Sequence, residues 1–459
     1  MKKTRIMIKI GMGLVLLGLV FSANAQFKSG VEVVGRMESY TMKTTWDADT
    51  QTMFRYTDMR LRPWFGYEAN KFLSARFVFE IGDIPFGNKD KGGAQGADQK
   101  IVELKNAYMD IKFTEKQNIA PIHDAMLRFG IMGHKDPQSL IFEDDIAGMK
   151  YSGRYNQLFY DIAYYIPKDE SEKNINETTY SFAERLFNID ASYKITPDVT
   201  AGLYGLAEMK TQAHDAAADT LSAGYAAGDE DLVNKNAMNM WISPYMKGKF
   251  GIVSVQAMLS YNMRSAEYEA VGKDIDVDQA AADALDEGAD NGSGMVISLK
   301  SDIAATKTLN VGVNFAYAPG DEDGVDYWKP YKNKYNNGTQ MIGYGINDFT
   351  SYQLINTGKN GIMLPTLTAN YKMNDNVSFG GAFGMAMTTV DVEFTDSDGK
   401  DQKETNLGME VSLSSKIKAF EKMTLEPYFA MFMPGPATTK GSDAEDSQMR
   451  VGIVSKVKF

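Results

Sequence analysis

The sequence predicts an all-β chain: a transmembrane, antiparallel, up-and-down β-barrel of about 18 strands, with 16 as the alternative. Three observations carry that prediction. Apolar and polar residues alternate along segment after segment, the period of a strand whose successive side chains leave opposite faces. Tight turns and long polar loops alternate as connections, the asymmetry of membrane barrels with short periplasmic turns and long extracellular loops. Arginines occupy one register of strands whose other register is apolar. A charge facing lipid at midplane costs about 2–4 kcal/mol, so that register has to face a wet interior. An open edge in lipid would leave N–H and C=O groups unpaired, so the sheet must close. A soluble sandwich or repeat protein is the competing reading; it needs a second packed layer and strands without polar lumen registers.

Residues 1–25 stand apart from the strands. "MKKTRIMIK" is basic, "IGMGLVLLGLVF" is apolar, and "ANA" precedes Gln26. That order is a cleaved secretory signal, and its apolar run is short for a spanning helix. Its loss leaves 434 residues, 26–459, and takes the net charge from −12 to −16, because four basic residues go with it. Cysteine is absent, so neither a lipid anchor nor disulfides are expected. No later segment has the apolar run of a spanning helix. No plug domain precedes the first strand, so no energy coupling is expected. An acidic chain with scattered Lys and Arg lacks the basic face that nucleic-acid binding needs.

The period-two segments follow in order: 27–44, 51–68, 71–83, 100–113, 124–133, 147–154, 156–167, 183–195, 198–211, 237–250, 251–267, 293–303, 306–318, 360–372, 376–394, 404–418, 421–434 and 446–459. In the second, "FRYTDMRLRPWFGY", Met59, Leu61, Pro63, Phe65 and Tyr67 form the apolar register, and Asp58, Arg60 and Arg62 the charged one. In the third, Leu73, Ala75, Phe77, Phe79 and Ile81 oppose Ser74, Arg76 and Glu80. "EANK", "RYNQ", "ITPD", "KFGI", "AATK" and "KMNDN" are tight turns, and 114–123 is a longer one. The stretches 82–99, 212–236, 268–292 and 319–358 read as long polar outer loops, with a short helix within 279–287. Tyr67, Phe72, Phe113, Tyr193, Phe250, Tyr371, Phe420 and Phe459 lie beside the short turns, where aromatic girdles mark the lipid boundary. The last strand sets Met449, Val451, Ile453 and Val457 against Arg450, Lys456 and Lys458 and closes against the first. Its terminal Phe459 is similar to the signal that outer-membrane assembly machinery reads in bacterial barrels.

A barrel of this strand number has a water-filled lumen rather than a packed one. The connection "GHKDPQSLIFEDDIAGMKY" is apolar at Leu140, Ile141 and Phe142, which is odd for a loop in solvent. It is expected to fold inward near 134–146, pack that patch on the inner wall, and project Glu143, Asp144 and Asp145 into the channel. Arg36, Arg60, Arg62, Arg76 and Arg128 occupy the inward register opposite. Acidic and basic walls set a transverse field across a pore constriction and so its ion preference. The arginines also have a structural reading, pairing with Asp58, Glu80 and Asp110 to neutralise the wall.

The stretches "FEIGD", "GGAQGADQ", "VELKNAYMDI", "RFGIMG" and "FEDDIAGMKYS" resemble the homotrimeric outer-membrane porins of sulfate-reducing and related bacteria. The likeness covers roughly 50–165, the signal and the last strand, and fades in the second half. It implies a trimeric general diffusion pore of a Gram-negative cell outer membrane, with 134–146 as the constriction loop. Methionine-rich, acidic outer loops depart from the family and leave ion preference open. A substrate-selective porin, for oxyanions for example, and a barrel-anchored adhesin are the alternatives. Catalysis is not expected: His123, His134 and His214 have no metal spacing, and no Gly-x-Ser-x-Gly elbow occurs. No cofactor is expected either. "PGDEDGVD" (319–326) and "GDEDLV" (228–233) are rich in carboxylates but lack the spaced calcium loop. Solvated loops, or divalent bridges to lipopolysaccharide, are their two readings.

Overall fold

The computed structural model describes residues 25–42, 52–88, 94, 102–113, 123–175, 178–215, 232–271, 291–342, 358–396, 398–440 and 447–459. The leader 1–24, residues 228–231 of the acidic stretch 228–233, and the helix expected within 279–287 lie outside them. The strands are β1 (Gln26–Met42), β2 (Thr52–Asn70), β3 (Leu73–Pro85), β4 (Val102–Lys112), β5 (His123–Lys135), β6 (Glu143–Tyr155), β7 (Leu158–Ile175), β8 (Thr178–Thr196) and β9 (Val199–Asp215). There follow β10 (Leu232–Phe250), β11 (Val253–Val271), β12 (Gly292–Ala304), β13 (Leu309–Ala318), β14 (Ile362–Lys372), β15 (Val377–Thr395), β16 (Asp401–Phe420), β17 (Met423–Pro434) and β18 (Gln448–Lys458). They form one 18-stranded sheet in which each strand pairs antiparallel with the next and β18 returns to β1. The chain is a closed up-and-down barrel.

Closure uses the chain's end. Tyr40 opposes Arg450 and Glu32 opposes Lys458. Beyond them the Phe459 N–H donates to the Val31 carbonyl at 2.9 Å, and the Val31 N–H returns a 3.3 Å bond to Phe459. No edge is left at the seam. The short turns are tied by side chains suited to them. Asn70 Oδ1 accepts from the N–H groups of Phe72 and Leu73 at 2.8 and 3.0 Å. Asn374 does the same for Asn376 and Val377, and Thr306 Oγ1 for Thr308 and Leu309.

Side-chain parity divides the wall. On β16, Leu413 is 57% exposed while its neighbour Ser412 is 3% and Glu410 0% exposed. The same contrast separates Leu203 from Tyr204 on β9 and Val451 from Arg450 on β18. A contiguous apolar outer surface of this extent is foreign to water-soluble chains and suits hydrocarbon. Phe27–Phe65, Phe65–Phe79 and Tyr164–Phe187 pack ring to ring on it, with centroids 5.0–6.3 Å apart. At the short-turn rim Tyr193, Phe250, Tyr371, Phe420 and Phe459 are exposed, whereas Tyr67, Phe72 and Phe113 are half-buried.

The ladders exceed the apolar segments. β7 and β8 pair onward from Lys168 opposite Glu184 to Ile175 opposite Thr178, beyond the period-two segments 156–167 and 183–195. The sequence there, "PKDESEKNINETTYSF", is polar in both registers. Past the bilayer no lipid face demands alternation, while backbone pairing continues. β6 likewise starts at Glu143 rather than 147, which puts Glu143, Asp144 and Asp145 on a strand and not in a loop.

Candidate functional site

Two segments occupy the lumen. The first is the tip of the β5–β6 hairpin. β4 pairs with β5 only from Ala107/Ile131 to Lys112/Met126, and β6 pairs with β7 only from Gly148/Tyr165 to Tyr155/Leu158. The hairpin itself stays paired up to Lys135 opposite Glu143. Residues 132–147 therefore leave the wall on both flanks and turn inward. Met132, Leu140, Ile141 and Phe142 are at most 1% exposed, packed with Tyr165, Leu186, Tyr204, Leu206 and Trp241 of the inward register. Burying each such side chain stabilises the docked tip by about 1.5–3 kcal/mol. The bend is local chemistry. The Asp136 carboxylate accepts from the N–H groups of Gln138, Leu140, Ile141 and Phe142 at 2.7–3.2 Å. His134 lies between the hydroxyls of Tyr204 and Tyr165, 2.9 and 3.0 Å away. Across the barrel, Ser298 of β12 donates to Gln138 Oε1 at 2.6 Å.

The second segment, residues 325–342, was expected to be part of an outer loop in solvent. It forms a belt along the inner wall instead, because Trp328, Tyr331 and Tyr335 supply an apolar face that water would not hold. Trp328, Tyr335 and Ile342 are at most 4% exposed. Arg264 of β11 donates to the Tyr327 carbonyl at 2.5 Å and also to that of Val325. Trp241 Nε1 donates to the Lys329 carbonyl at 3.0 Å. Further round, Tyr335 meets Ser298 of β12, Asn314 of β13 donates to the Asn337 carbonyl, and Asn337 donates to Thr366 of β14. Gly338 has φ +101°, and a Cβ there would fall 2.6 Å from Thr368 Cγ2, so the bend requires glycine. The belt and the tip join by main-chain bonds: Lys332 N to Ile141 O, Glu143 N to Lys332 O, and Lys334 N to Ser139 O, at 2.8–3.0 Å.

The acids and arginines singled out in the sequence fall around these segments. Asp144 contacts the Lys332 ammonium, Asp145 bonds Lys105 Nζ and Asn106 Nδ2 at 2.7 Å each, and Glu143 accepts from Ser139 Oγ. On the wall, Arg36 forks onto Asp58 and reaches Asp83 at 3.0 Å. Arg60 binds Asp83 in bidentate fashion at 2.7 and 3.0 Å, and Arg62 binds Glu80 at 2.5 Å. Arg128 is bidentate on Asp110 at 2.7 and 2.9 Å and lies over the Tyr108 ring. Arg76 differs: it is exposed to the lumen, stacks 4.8 Å from the Trp64 ring, and has no carboxylate partner among the described residues. The structure thus brings Arg62, Glu80, Lys105 and Asp145 into one run of ion pairs on the wall, and the next residue along β6, Asp144, pairs with Lys332 of the belt. Arg128 sits apart from it, nearer the short turns.

The sequence does not single out Lys105, Lys332, Asp83 or Glu410, and it places Arg450 only in the polar register of the last strand. The aromatic run "DYWKPYKNKY" is the signal that could have placed Lys332 inside, by the reasoning applied to Leu140–Phe142. On the outer side Asp321 accepts from the N–H groups of Val325 and Asp326, which hold its carboxyl below the ordinary value of 3.8. Below the belt, a cavity of about 270 Å³ is lined by Asn314, Asn370, Thr368 and Ser414 with Lys300 and Asp302, a hydrophilic wall of little net charge.

Compared by sequence, the chain matches no family model and no curated protein. Compared by fold, it is similar to OpdK of Pseudomonas aeruginosa with vanillate, with a TM-score of 0.51 at 9% identity over 94% of this chain and 99% of that one. A second structure of the outer membrane protein OpdK gives 0.51 at 10% identity, over 94% and 99% of the two chains. OccAB1 of Acinetobacter baumannii gives 0.50 at 10% identity, over 94% and 97%. Likeness at such identity establishes the shared barrel.

Proposed function

We propose that this chain is an outer-membrane porin, a pore through which small hydrophilic solutes and ions diffuse passively. One observation carries the reading: ionised side chains line the inside of a closed barrel whose outer register is apolar. Such a wall suits water within and hydrocarbon without, and the fold neighbours include an outer membrane protein. The path narrows where the hairpin tip and the belt face the charged wall. Arg36, Arg60, Arg62 and Arg76 form the basic side of the constriction and Glu143, Asp144 and Asp145 the acidic side, while Arg128, paired with Asp110 nearer the short turns, carries the charged wall on from it. Because four of the five arginines are paired, they hold the wall in shape, and Arg76 contributes the least compensated charge.

The leader 1–25 directs export and is removed, Phe459 is the residue presented to the assembly machinery, and lipopolysaccharide surrounds the outer end. Association into a homotrimer follows the family resemblance; the mass of the purified particle in detergent tests it. The function is tested by planar-bilayer recording with the refolded mature chain. Current steps that scale with bulk salt are expected. Saturation with one solute would point to a selective site, and insertion without current would point to an anchor and overturn the proposal.

A further inference from the structure

Three consecutive amides of the belt meet a single buried carboxylate. Glu410, at mid-strand in β16, is fully buried, and its two oxygens accept from the N–H groups of Gln340, Met341 and Ile342 at 2.6, 2.9 and 2.7 Å. Ser412 Oγ adds a donor at 2.5 Å. These three consecutive N–H groups point at one spot as the amides of an anion nest do. The neighbouring Gln340 carbonyl is held from the other side by Arg450 Nη1 at 3.2 Å, and Arg450 is itself fixed by Glu38 of β1 at 2.5 Å. Residues 340–342 are therefore clamped between β16 and β18, while the belt's far end is held by Arg264 and Trp241 on β11 and β10.

We infer that Glu410 is a positioning residue of the permeation path. By fixing residues 340–342 it braces this part of the belt against the wall, and through the Lys332–Ile141, Glu143–Lys332 and Lys334–Ser139 bonds it steadies the hairpin tip with its three acids. Glu410 touches neither Asp144 nor Lys332; it acts on them through the backbone of the belt. Charge-assisted bonds to buried carboxylates are among the stronger ones, and a donor left unpaired in a buried place is costly. Losing Glu410 would orphan three N–H groups together and loosen the belt between its remaining anchors.

This inference rests on the porin reading for its effect on current, so two readouts are needed. Amide exchange in detergent compares the wild type with Glu410→Ala and with the isosteric Glu410→Gln, which guards against a failure to fold. Exchange at Lys332, Lys334 and Glu143 is expected to quicken by roughly tenfold in both variants, although none of these amides bonds to Glu410. Single-channel conductance is expected to rise by roughly twofold as the belt loosens. Glu421→Gln, at a short turn, should change neither. Faster exchange confined to 340–342, with conductance unaltered, would overturn the inference. Absence of current from the wild type would overturn the porin reading alone, and exchange at the remote amides would still decide what Glu410 positions.

Discussion

Arg36 and Asp58 are 4% and 1% exposed at their side chains, so their pairing inside the wall is governed by desolvation. Removing one partner of such a pair leaves a buried charge and costs about 3–5 kcal/mol. Arg36→Ala is therefore expected to lower the midpoint of urea unfolding in detergent micelles, and an unshifted midpoint would show that water reaches Asp58. Arg60, Arg62 and Arg76 make a different case, because they are more accessible and their removal changes what ions meet. Each Arg60 or Arg62 deleted leaves Asp83 or Glu80 undercompensated, and Arg76 takes away a cation that has no paired acid among the described residues. The triple change to Ala should move the reversal potential in a salt gradient toward cation preference. A potential identical to that of the wild type would remove these residues from the constriction. The inward register of all five arginines was legible from parity alone. Their partners were legible only in part: Asp58, Glu80 and Asp110 lie on neighbouring strands in matching registers, whereas Asp83 sits past a break in the β2–β3 ladder between Met59 and Leu61.

At the scale of elements, period-two alternation reports contact with lipid, and it fails wherever a segment leaves the lipid. That is why strands are readable through the bilayer, why the outer extensions of β7 and β8 are not, and why Glu143–Asp145 read as a loop. Residues 132–147 and 325–342 have no face toward hydrocarbon, and only their aromatic and aliphatic content marks them as interior. Replacing Leu140, Ile141 and Phe142 together with Ser tests the docking of the tip. Large-to-small changes at such buried sites cost about 2–5 kcal/mol each. The barrel, whose ladders do not depend on them, should still form, but recordings should show larger and noisier current; quiet, wild-type steps would mean that the tip does not limit flow. The turn at 321–326 responds to acid in a defined direction. A carboxyl depressed in the folded state adds stability that is present above its ordinary value and is lost as pH falls through the folded one. Asp321 is held below 3.8, so the turn should persist at that pH and loosen only beneath it. A carboxyl-carbon titration of Asp321 by NMR checks this, and a midpoint at or above 3.8 would contradict it.

For the molecule as a whole, the two registers should respond oppositely to the same chemical change. Leu413 and Ser414 are adjacent on β16, at the same height in the wall, and face lipid and lumen respectively. A lysine on the lipid face near midplane costs about 2–4 kcal/mol, because its ammonium must be desolvated or must snorkel to an interface. A lysine at 414 enters the hydrophilic cavity that Ser414 lines with Asp302 and keeps polar surroundings. Leu413→Lys is thus expected to reduce the folded fraction sharply in a urea titration with lipid vesicles, whereas Ser414→Lys should leave it nearly unchanged and alter ion preference instead. The comparison controls for strand, depth and residue type, so the difference isolates the solvent on each side. If both variants lost stability equally, the interior at β16 would be as dry as the exterior. The chain would then be a filled cylinder, and neither Glu410 nor the arginines could govern a flow of ions.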